Sequence, residues 1–152
     1  MTFNDHLGAR TVVDHLLWHG YQDVVCVAGE IGAGPAEGRE GGRRQAMESP
    51  DRPRAICATT DEQALVTIRT ATSLGLRVPD GLAVVGFDGV REARLGSFPL
   101  TTVGLPFEEF AVRAFDALGA VFHDGGSPSA PVVPDGTLSV GVTCGCAPGP
   151  TA

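Results

Sequence analysis

Apolar residues recur along this chain in two alternating periods. Leu7, Val12, Val13, Leu16 and Leu17 share one helical stripe over residues 6–19, and Gly20 follows as a C′ residue. Residues 23–28, unbroken apolar after Asp23, then predict a strand buried on both faces. A glycine-rich loop over 29–38 leads to a predicted short helix over 39–47, and 49–53 is a breaker cluster. Residues 55–58 read as a second apolar strand. Thr60, Asp61 and Glu62 supply a cap and first-turn carboxylates for a helix that reaches Leu74 and closes at Gly75. Residues 82–86 form a third apolar strand, 87–99 a loop with a helical turn, and 101–103 a short extended piece. Pro106 opens a helix in which Phe107, Phe110, Ala111, Ala114, Phe115, Leu118, Val121 and Phe122 recur at helical spacing, so one face has to bury. Late strands are expected at 132–133 and 138–142.

Strands alternating with helices predict an α/β domain with a mainly parallel sheet flanked by helices. In such sheets ligands bind beyond the carboxyl ends of the strands. That rule singles out three segments: 29–39, 59–62 and 86–89.

Composition narrows the chemistry. The 152 residues have a net charge of −7, and all 11 basic side chains are arginine. Without lysine the chain holds no P-loop lysine, Schiff-base lysine or kinase strand lysine. The arginines are scattered and the last third is acidic, which argues against direct nucleic-acid binding by this chain. Neither a signal peptide nor an apolar run of membrane-spanning length is apparent, so a cytoplasmic, membrane-free protein is expected.

Catalytic and metal constellations are not evident either. Cys26 and Cys57 sit in apolar runs as small hydrophobes. Cys144 and Cys146 form a C-x-C pair with no second pair at zinc-finger spacing, and His15 and His19 read as solvated helix residues, so no metal site and no cofactor are expected. No serine has nucleophile-elbow context, so the chain does not read as an enzyme. The loop Gly32–Gly38 offers a nucleotide-binding enzyme fragment as a weak alternative, since Pro35 removes a donor and the glycine spacing is wrong.

A combined pattern then points further. Asp61-x-x-Ala64, the run Gly75-Leu76-Arg77-Val78-Pro79, Val84-Val85-Gly86-Phe87-Asp88, and Pro99-Leu100-Thr101-Thr102-Val103 together resemble the effector-binding core of LacI/GalR-type transcriptional regulators. Residues 4–29 resemble the start of that family's C-terminal subdomain. The resemblance implies a periplasmic-binding-protein-like (type I) α/β fold over residues 4–143, incomplete, with one strand–helix unit missing near 48–54 and a loose tail at 144–152. It implies a sensor without a helix-turn-helix head, which binds a small sugar-like or purine-like effector. A homodimer, or a heterodimer with a full-length relative, is implied through helix 61–74 and loop 94–98. The alternative is a remnant that only dimerises or interacts.

Carried over by position, Asp88 matches the family's effector-binding aspartate and Arg39 the arginine of an R-x-x-G motif. Asp61 matches the acid of the family's Asn-Asp pair, whereas Thr60 replaces its amide. Phe107 stands where the chain crosses between subdomains and can pack on a ligand. In the family, the helix at 107–122 belongs to the other subdomain.

Overall fold

The structure, a computed structural model, describes residues 4–28, 36–95, 98–124 and 135–146, with the side chains of 36–40 and 123–124 outside the description. Among the described residues the elements run α1 (Asp5–Trp18), β1 (Val24–Val27), α2 (Ala36–Glu48), β2 (Ala55–Ala58), α3 (Asp61–Ser73), β3 (Ala83–Asp88), α4 (Arg91–Leu95), β4 (Thr101–Gly104), α5 (Phe107–Asp124) and β5 (Thr137–Ser139). The strands form one sheet in the order β1-β2-β3-β4-β5. The first four are parallel, and β5 returns antiparallel to β4 with Val103 opposite Leu138.

The central strands are apolar throughout because both faces are covered. Alternate residues point to opposite sides of a strand, so Ile56, Ala58 and Val84 join Met47, Ala64, Ile68, Ala71, Ala93 and Leu100 under α2, α3 and α4. Ala55, Cys57, Ala83, Val85 and Val103 face the other way and meet Val12 and Leu16 of α1, with Cys144. Each layer buries its helix stripe, which is what stabilises helices of this length. Burial also pushes the Cys57 thiol up to about 11, so it behaves as the inert small hydrophobe expected of it.

Four expectations need correction. β1 is an edge strand, and Val25 and Cys26 are exposed where a two-sided burial was expected. The face of α5 is not buried: Val112, Phe115, Leu118 and Phe122 are all exposed, Phe122 at 81%. β5 covers only Thr137–Ser139, while the strand expected at 132–133 lies outside the described residues. The chain beyond β5 does not become loose at residue 144. It passes beneath the sheet, Val84 N–H donating to the Thr143 carbonyl at 2.9 Å and Val142 N–H to Pro99 at 2.8 Å, and leaves Cys144 fully buried.

Candidate functional site

Parallel strands deliver their carboxyl ends to one edge of the sheet. That edge gathers the start of α2, the turn Thr59–Thr60 after β2, Asp88 and Val90 after β3, and Gly104–Phe107 after β4. The segments 59–62 and 86–89 therefore meet there as expected, while residues 29–35 lie outside the described residues.

Asp61 forms the base of this edge. Its side chain is fully buried at the first turn of α3. One carboxylate oxygen accepts from the Thr102 hydroxyl at 2.5 Å, the other from Val90 N–H at 2.8 Å, and Gly89 N–H adds a further bond. Gly86 makes room for it, since a Cβ there would collide with the Asp61 carboxylate. Burial raises its pKa, against these hydrogen bonds and the Arg94 charge. Both oxygens of this enclosed carboxylate are already hydrogen-bonded. Asp61, expected among the ligand contacts, holds the 88–90 turn and adds a first-turn negative charge to α3.

Asp88 ends β3 on that turn. Its φ of 109° lies in the left-handed region, a conformation that costs a non-glycine residue about 1–3 kcal/mol and collects at functional sites. The carboxyl is half-buried, and its pKa is pushed up to about 6, by burial first and then by the negative charges of Asp61 and Asp5. A hydrogen bond from the Asp61 backbone opposes that rise. The result is an incompletely solvated acceptor at a strand's carboxyl end, able to take two hydrogen bonds from neighbouring hydroxyls when ionised.

The other expected contacts divide. Thr60 is the N-cap of α3, its hydroxyl oxygen accepting from Gln63 N–H at 3.2 Å, so its side chain is committed to the helix start. Phe107 begins α5 directly after β4, half exposed, on the same edge as Asp88. Arg39 lies in the first turn of α2 after β1, and its side chain is outside the described residues.

Comparisons with known proteins identify the fold that carries this edge. Residues 30–144 match the family described as the periplasmic binding protein-like domain. The chain belongs to this family. Its relatives are regulators: the HTH-type transcriptional regulator DegA of Bacillus subtilis (strain 168) is 28% identical over 148 residues, covering 78% of this chain and 44% of that protein. A LacI transcriptional regulator from a Rhodococcus species has the same fold, with a TM-score of 0.81 at 24% identity over 93% of this chain and 62% of that one. The lac repressor dimer bound to operator and the anti-inducer ONPF gives 0.76 at 24% identity, over 93% and 51%. The chain thus spans about half the length of the curated relative it matches. The LacI/GalR resemblance and the mostly parallel, helix-flanked fold expected from sequence are both borne out. Among the described residues, no helix is long and apolar enough to cross a membrane.

Two features of this periplasmic binding protein-like domain escaped the sequence reading. Thr102, central to the Asp61 network, gave no signal beyond its place in the Pro99–Val103 motif. His15 and His19 are only partly exposed, and the fold brings them beside Cys144 and Cys146. All four are buried or half-buried and their ligand atoms lie within 4.8 Å of one another. Metal-motif spacing could not show this because the pairs stand more than 120 residues apart.

Proposed function

We propose that this periplasmic binding protein-like domain is the effector-sensing core of a LacI-type transcriptional regulator, which binds a hydroxyl-rich, sugar-like ligand at the carboxyl edge of its sheet and dimerises. The carrying observation is Asp88: a strained, half-buried carboxyl at a strand end, with Asp61 beneath it fixing the turn. An acceptor set in that way suits vicinal hydroxyls better than a purine ring. Phe107 packs on the ligand's apolar face, and Arg39, matched to the family's R-x-x-G arginine, supplies a donor. The lac repressor comparison, a dimer holding operator and anti-inducer, supports both parts of this reading.

Loop 94–98 supports the pairing, since Leu95 and Phe98 are exposed apolar residues there. The exposed face of α5 favours a second reading, an interaction module whose partner covers Phe115 and Phe122. Isothermal titration calorimetry against a panel of sugars and purines separates the two. Heat from one sugar, abolished by Asp88→Ala, supports the sensor; silence across the panel rejects it in favour of the interaction module.

A further inference from the structure

Two short motifs that the effector reading leaves unused meet at the amino-terminal edge of the sheet, opposite Asp88. His15 and His19 stand one turn apart near the end of α1, and Cys144 and Cys146 flank Gly145 beyond β5. His15 Nε2 lies 3.3 Å from Cys144 Sγ and 3.6 Å from Cys146 Sγ, and His19 Nε2 lies 3.0 Å from Cys146 Sγ. Neither cysteine is in a disulfide. Zinc holds sulfur at about 2.3 Å and nitrogen at about 2.0–2.1 Å, which sets tetrahedral ligands about 3.3–3.8 Å apart. The two His15 separations fall within that range, the His19–Cys146 contact is shorter at 3.0 Å, and all four ligand atoms lie within 4.8 Å of one another, close enough for one ion to draw them together.

We propose that His15, His19, Cys144 and Cys146 form a structural Zn2+ site, a closed tetrahedron of two imidazole nitrogens and two thiolates that clamps α1 to the C-terminal segment. The donor set selects the metal. Two sulfurs and two nitrogens at tetrahedral spacing suit zinc, whereas magnesium and calcium require oxygen ligands that are missing from this cluster. Four protein ligands also leave no open position, so the site is structural and not catalytic.

The surroundings are built for this role. Gly145 has φ +98°, a conformation that lets the chain reverse so that both cysteines face the histidines. The Thr101 hydroxyl accepts from Gly141 N–H at 2.9 Å and donates to Cys144 Sγ at 3.1 Å, an outer-shell bond of the kind that orients a thiolate ligand. On binding, two S–H bonds break and two Zn–S bonds form. Both protons pass to solvent, and no oxidation state changes. Three of the four ligands fall outside residues 30–144, so the site is independent of the family match and of the effector reading.

The test titrates the metal-free full chain with Co2+ as a spectroscopic probe and then with Zn2+. Trp18, the single tryptophan, stacks on His15 at 6.2 Å between centroids and gives a second readout. One Co2+ per chain is expected, with tetrahedral visible bands and thiolate-to-cobalt charge transfer, a matching change in Trp18 fluorescence, and displacement by one Zn2+. Cys146→Ser and His19→Asn should each weaken Zn2+ by more than ~100-fold, beyond the loss usual for an outer-shell change. Absence of the bands, a six-coordinate cobalt spectrum, or unchanged affinity in both variants overturns the proposal. If a variant loses its helical circular dichroism, the wild type decides: a Tm that rises with Zn2+ supports the site, and a Tm that does not rise overturns it.

Discussion

The two edges of one sheet carry opposite kinds of chemistry. At the carboxyl edge two acidic residues meet, one buried and satisfied, the other strained and half-open. At the amino edge two histidines and two cysteines close on one another, their ligand atoms within 4.8 Å and Cys144 fully buried. The difference teaches how the fold sorts function. Loops at the carboxyl edge each leave a strand and enter a helix, so that edge brings several separate elements together. The amino edge joins α1 to the last described segment and the start of β4, which suits a clamp.

The largest effect that would break this contrast comes from the buried acid. Asp61→Ala leaves Val90 N–H and the Thr102 hydroxyl buried without their acceptor, and each such loss costs about 1–3 kcal/mol. A destabilisation of about 3 kcal/mol is expected in urea unfolding, with effector affinity lost because the Asp88 turn is no longer held. Metal uptake by the His–Cys cluster should be untouched, since distant sites act additively. Equal damage to both edges would mean that they form one cooperative unit. A smaller effect sharpens the picture at Thr60. Removing the cap by Thr60→Ala should cost about 1 kcal/mol of stability and leave effector affinity within twofold, because the hydroxyl serves Gln63 N–H. A large affinity loss at unchanged stability would return Thr60 to the ligand contacts.

Much of the carboxyl edge was legible in the sequence because local signals agree there. The apolar run 55–58, the cap at Thr60 and the glycine after residue 74 set β2 and α3 almost residue by residue. The motif ending in Asp88 placed that carboxyl correctly. The hydrogen bonds that enclose its neighbour Asp61 were not legible, because they come from Thr102 and Val90, 41 and 29 residues away. The apolar stripe of α5 was read correctly as a pattern, yet periodicity cannot say whether a partner lies against it. The His–Cys cluster was illegible for a stronger reason. It exists only because β5 returns antiparallel and the chain then crosses beneath β3 and β4, a topology that no local spacing encodes.

The central claim is that an ionised Asp88 holds the effector, and the pH dependence of sugar affinity tests it most directly. The carboxyl has a pKa of about 6 before ligand arrives. Hydroxyl donors favour the ionised form, so affinity should be full above that value and fall as pH drops through it. For the sugar identified by calorimetry, binding at pH 5 should be about tenfold weaker than at pH 7, following the ionised fraction, and Asp88→Asn should remove the dependence. A flat profile between pH 5 and 7 in the wild type, or the same slope in Asp88→Asn, would contradict the account.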